Sequence, residues 1–93
     1  MFIQQEDDGE QGAFYVEENN ERLGEMTYRW GANDLMIIDH TEVDKKLEGK
    51  GVAKQLVKSA VDLARKKHFK ILPMCSYAKA VLSKDDSYKD VLK

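Results

Sequence analysis

Long apolar runs, cysteine pairs and a net charge of either sign are what this chain has least of. Its one cysteine, Cys75, cannot close an internal disulfide. No apolar run approaches the roughly 20 residues that cross a bilayer, and no basic segment followed by an apolar stretch opens the chain as a secretory leader would. These absences predict a reducing, cytoplasmic setting with no membrane partner. Lys and Arg number 15 against 17 Asp and Glu, a formal net charge of −2, so no global basic excess is available to coat nucleic acid. The basic segment also lacks the interleaved aromatic side chains on which single-stranded bases stack. Any anion site must therefore be local, and no metal site is expected.

What is present suffices for one core. With 42% hydrophobic residues in 93, the chain is long enough to bury one apolar centre and too short for two. Residues 1–93 are expected to form a single domain, monomeric or weakly dimeric. The charge is unevenly placed: Glu6, Asp7, Asp8 and Glu10 lead an acidic first third, while Lys45, Lys46, Lys50, Lys54 and Lys58 begin a basic middle. Most of these read as solvated faces.

The hydropathy pattern changes period along the chain. Residues 13–17 alternate, with Phe14 and Val16 on one face, and after Asn19-Asn20 a second β-favouring run covers Arg22 to Trp30, which predicts an antiparallel hairpin. Gly31 to Asp34 break the pattern, and Leu35 to Val43 read as a third strand with a continuously apolar LMII centre. From Lys50, apolar residues recur at helical spacing (Val52, Leu56, Ala60, Leu63) as far as His68. Phe69 to Cys75 then read as a buried strand in which Pro73 removes a ladder donor and marks an edge, a bulge or an opening. Tyr77 to Ser83 favour a short helix, and Tyr88, Val91 and Leu92 are enough to dock a last turn. The order predicts an α+β (α/β) fold: a mixed, mostly antiparallel sheet with a β-α-β crossover that sets the last strand parallel to the third.

The stretch LEGKGVAK, Leu47 to Lys54, falls on the strand-to-helix turn of that crossover, beside which ligands commonly sit. A helix amino terminus offers unpaired N–H groups and a partial positive charge. Glycines let an anion approach those amides without meeting a Cβ. Gly49 and Gly51 suit that task, with Lys46, Lys50 and Lys54 adding charge. The spacing matches neither a Walker A loop nor the three-glycine dinucleotide fingerprint, and by itself it is equally that of a tight turn.

HTEV at His40 to Val43, EGKGVAKQLVKSAVDLARK from Glu48 and PMC at Pro73 to Cys75 give the chain a resemblance to the GNAT N-acetyltransferase superfamily. It is most similar to a minimal branch of small single-domain members without the N-terminal helical elaboration. The resemblance implies an acetyl-CoA-dependent N-acetyltransferase acting on an amine-bearing acceptor, usually by direct transfer from the thioester with a base for the amine proton and an acid for the leaving thiolate. Its acetyl-CoA loop carries Gln or Arg, two spacers, Gly, one spacer, then Gly or Ala. Glu48 takes the first of those positions, Gly51 the glycine and Ala53 the last. An acidic Glu48 beside a pyrophosphate is expected to turn outward while the amides of Gly49, Lys50, Gly51, Val52, Ala53 and Lys54 make the contact. The strand ending in Glu42 and Val43 would present its backbone to the pantetheine arm.

Four residues carry the implied chemistry. His40 is a candidate base, or a strand-end side chain bonded to backbone. Glu42, on the same face of a regular strand, would orient it or serve as the base. Tyr77 holds the position of the acid that protonates the leaving thiolate, or is a core aromatic. Cys75 is a small buried hydrophobe, or, given Pro-x-Cys in this branch, a thiol that accepts the acetyl group before the amine does. The remaining readings are a non-catalytic acyl-CoA-binding or sensing module, and an interaction domain whose acidic first strands meet a basic partner.

Overall fold

A computed structural model describes residues 2–93. One sheet contains β1 (Gln4–Asp7), β2 (Gln11–Glu18), β3 (Glu21–Gly31), β4 (Leu35–Val43) and β5 (Lys70–Pro73), in that spatial order. The first four strands pair antiparallel. Helix α1, Val52–Lys67, then crosses over and returns the chain as β5, parallel to β4. Helix α2 covers Ser76–Lys84. This is the expected α+β arrangement with one additional strand at the front.

Turn chemistry sets the meander. Asn19 and Asn20 both adopt left-handed backbone, with φ of 51° and 63°. Two such residues give the turn whose twist matches that of the strands it joins. Asn33 and Asp34 do the same, with φ of 61° and 54°. β1 has no hydrophobic face, and side chains anchor it. The Tyr28 hydroxyl donates to Asp7 Oδ2 at 2.6 Å and accepts from Gln5 Nε2 at 2.8 Å, which ties β1 to β3 across β2.

The α1 stripe of Val52, Leu56, Val57, Ala60, Val61 and Ala64 is buried against the sheet. Ala78 and Leu82 of α2 join the same cluster, so both helices cover one sheet face. The other face carries half-exposed Tyr15, Glu25 and Thr27, with the Arg22 guanidinium stacked 3.8 Å from the centre of the Tyr15 ring. Among the described residues no helix is long and apolar enough to cross a membrane.

The last strand is shorter than the expected Phe69–Cys75. It ends at Pro73, and the amides of Met74 and Cys75 both donate to the Ile38 carbonyl, at 2.9 and 3.1 Å. Two donors on one acceptor mark the point where the chain swings off the ladder. Cys75 therefore heads α2 and does not end a central strand. β5 is the edge strand, as Pro73 indicates, and its free side is covered by the tail. Ile71 N donates to Val91 O at 2.7 Å, and Lys93 N to Ile71 O at 2.8 Å.

Candidate active site

β4 outruns its neighbour. Pairing with β5 covers Leu35 to Ile38 only, and β4 continues to Val43. The stretch from Asp39 to Val43 therefore has one edge with no strand beside it. This is the opening that Pro73 foreshadows, and it includes Glu42 and Val43.

A bulge alters which side chains face the opening. Tyr28 pairs with Ile38 but Thr27 pairs with His40, so Asp39 is an extra residue in β4. In an unbroken strand His40 and Glu42 would follow Met36 and Ile38 onto the helix-covered face. One inserted residue reverses the alternation beyond it. Thr41 now lies opposite the buried Met26, on the helix side, while His40 and Glu42 lie opposite Thr27 and Glu25 on the open face. His40 Nε2 stands 3.4 Å from Glu42 Oε2, and both side chains are exposed. The two share a face as expected.

Cys75 meets Thr41. Its Sγ donates to Thr41 Oγ1 at 3.4 Å, and the thiol is half-buried. Burial pushes the thiol up, but the Thr41 hydroxyl and the amides of Ala78, Tyr77 and Thr41 outweigh it and hold the thiol below its ordinary value. Thr41 is the residue that sequence reasoning missed. Plain alternation assigns it to the wrong face, and no glycine or proline marks the bulge. Tyr77 lends its amide to the thiol, while its ring lines a cleft of about 720 Å³ between α1 and α2 with Lys54, Val81, Lys84 and Tyr88.

The glycine turn is built in steps from the end of β4. Asp44 accepts from Lys46 N at 2.9 Å and caps a single 3-10 turn, Lys45–Leu47, whose Leu47 is buried as an anchor. Lys46 is held by Glu21 at 3.3 Å, which leaves Lys50 and Lys54 as the basic side chains of the turn itself. Glu48 is exposed. Gly49 and Gly51 have φ of 78° and 72°, so a side chain at either position is strained. A Cβ added at either would meet nothing within 4 Å. Gly51 is the N-cap of α1 with no side-chain cap, and the first helical bond runs from Gln55 N to Gly51 O at 3.1 Å. The amides of Val52, Ala53 and Lys54 precede that bond and point out of the helix end. Open space, left-handed glycines and uncapped amides together fit a pyrophosphate.

A profile of the GCN5-related N-acetyl-transferase family matches residues 13–91. Among solved structures, a GCN5-like candidate N-acetyltransferase from Staphylococcus aureus is 42% identical, with 99% of this chain and 87% of that one covered and a TM-score of 0.78. A ribosomal-protein-alanine N-acetyltransferase from Brucella melitensis biovar Abortus shares the fold at 17% identity, covering 84% of this chain and 64% of that one, with a TM-score of 0.67. A candidate streptothricin acetyltransferase from Bacillus anthracis, solved with acetyl coenzyme A, shares it at 24% identity over 70% of this chain and 38% of that one, TM-score 0.56. Curated proteins gave no match. The glycine turn, the split beside β4 and these likenesses lead to one statement: the chain belongs to the GCN5-related N-acetyltransferase family, whose acyl donor is acetyl-CoA.

Proposed function

We propose that this chain takes an acetyl group from acetyl-CoA onto Cys75 and passes it to an amine, acting as one unit over residues 1–93. The observation that carries the reading is the juxtaposition of two features: a cradle of left-handed glycines at an uncapped helix end, and a half-buried thiol where β4 and β5 part. In this reading the amides of Gly49, Lys50, Gly51, Val52, Ala53 and Lys54 hold the pyrophosphate. The backbone of Glu42 and Val43 runs beside the pantetheine arm. Acetyl-CoA supplies an activated thioester.

Cys75, as thiolate, forms a bond to the thioester carbonyl carbon while the bond from that carbon to the CoA sulfur breaks. The proton that Cys75 gave up passes to solvent, and CoA leaves as a thiolate that takes one proton from an acid, which recovers its own from solvent. A neutral amine then attacks the acetyl carbon on Cys75, the thiolate leaves, and the amine proton passes to a base. His40, oriented by Glu42, is that base in this reading, and because it lies on the open face while Thr41 and Cys75 lie on the helix side, the amine must reach through the split between β4 and β5. In this reading Tyr77 is that acid, which needs its ring to turn out of the α1–α2 cleft.

Intact-mass measurement after one turnover with acetyl-CoA tests the route. A mass gain of one acetyl group, absent in Cys75→Ser, is expected. CoA affinity without that adduct would sink the covalent route and leave direct transfer from the thioester to the amine, and CoA affinity with no turnover over a broad panel of amines would leave a binding or sensing module. In a CoA titration followed by amide chemical shifts, Gly49 and Gly51 should move first, and their silence would overturn the cradle.

A further inference from the structure

We propose that Thr41 is a positioning residue for Cys75, placed by the Asp39 bulge so that one hydroxyl serves the thiol in both of its protonation states. The inference rests on the reading of Cys75 as acetyl acceptor.

Three observations carry it. The bulge is what brings residue 41 to the helix-covered side, since without it the β4 alternation would set His40 and Glu42 there. The Thr41 hydroxyl lies 3.4 Å from Cys75 Sγ across the unpaired edge of β4. Threonine is also branched at Cβ, which restricts its χ1 and holds the hydroxyl in place without a long side chain to order.

The chemistry explains why a hydroxyl suits this position. A carbonyl could accept from the S–H but could not support the thiolate, and an amide N–H could do only the reverse. A hydroxyl both accepts and donates. It accepts from the thiol at rest, rotates to donate to the thiolate before attack, and donates again when the thiolate leaves on transfer to the amine. The amides of Tyr77 and Ala78 at the start of α2 reinforce the thiolate state alone. Charged side chains on the elements around the thiol are exposed: Asp39, His40 and Glu42 on β4, Lys70 on β5, Lys79 on α2 and Lys54 on α1. Neutral donors thus set the local bias.

The experiment is the pH profile of Cys75 alkylation by iodoacetamide, which needs no acetyl-CoA, in the full chain and in Thr41→Val, Thr41→Ala and Thr41→Ser. Valine and alanine should move the apparent thiol pKa up by about one unit and slow alkylation near neutrality about tenfold. Serine should restore the profile. Unchanged profiles in both hydroxyl-free variants, with folding verified by amide spectra, would overturn the proposal, as would a shift that serine fails to reverse. Should valine disturb the fold, alanine against serine decides. Intact mass with acetyl-CoA separates the two readings: a shifted alkylation profile without any acetyl adduct on the unmodified chain sinks the covalent route and leaves the Thr41 contact standing.

Discussion

At the scale of single residues, Gly49 and Gly51 can be assigned a cost and a function that come apart. Each has positive φ and open space around its missing Cβ, so alanine at either position strains the backbone without a clash, costing about 1 kcal/mol. Gly9, with φ of 93° and the same open surroundings, sits in the β1–β2 turn at the far end of the sheet. All three alanine variants should lose similar stability in urea. Only Gly49→Ala and Gly51→Ala should also lose CoA affinity, by roughly tenfold, equivalent to about 1.4 kcal/mol, measured by titration calorimetry. Equal CoA affinity in all three would mean that the turn is only a turn. The pair was legible because a helix-period pattern starts right after it. Cys75 was legible as a residue, but its partner was not: Thr41 is an unremarkable letter in HTEV until the register of β4 against β3 is known.

Elements were legible where one face is buried and illegible where it is not. β4 was read to its ends, because the apolar centre and the flanking turns bound it. β1 was missed because QQED has no apolar face and is held by hydrogen bonds from Tyr28 and Arg22 that no local pattern encodes. The bulge was hidden because a single inserted residue leaves composition and propensity unchanged. Its geometry predicts that losing the Asp39 side chain or the residue itself is mild, and that losing two residues is not. Asp39→Ala loses only an exposed pair with Arg29 at 3.2 Å, and should cost under about 1 kcal/mol in urea unfolding. Deleting Asp39 removes the bulge and leaves His40, Thr41 and Glu42 opposite Thr27, Met26 and Glu25, so these side chains should keep their faces; deleting Asp39 and His40 together would set Glu42 opposite Met26, burying a carboxylate without a partner, a change of several kcal/mol. A double deletion as mild as the single one would show that β4 tolerates either facing and that its pairing with β3 does not fix which side chains turn inward.

For the whole molecule, the front of the sheet is closed by one hydroxyl, and its titration should show in global stability. Tyr28 is buried at its ring and packs between Phe14 and Trp30, each at 5.5 Å between centroids, while its OH lies among Asp7, Gln5 and the Glu6 carbonyl. Burial pushes this phenol well above its ordinary value of 10.0, and the Asp7 carboxylate pushes it the same way. Asp7 feels burial as an upward push too, but the Tyr28 hydroxyl, the Trp30 indole N–H and the Gly9 amide hold it below 3.8. The two signs give a window. A phenol raised on folding contributes stability that is complete below pH 10.0 and is lost as pH climbs toward its folded value; a carboxylate depressed on folding contributes stability that is complete above 3.8 and is lost as pH falls through its folded value. Between those limits the pair should leave stability flat. Urea midpoints measured across pH should therefore fall at both ends. In Tyr28→Phe the plateau should drop by about 1 kcal/mol for the lost hydrogen bonds, and the gap to the unmodified chain should close as pH rises past about 10, because the phenol that the variant lacks is then a liability in the original. A gap that stays constant through that range would mean that β1 lets go of Tyr28 before the rest of the sheet unfolds, and that the front strand is held by Arg22 and the backbone ladder alone.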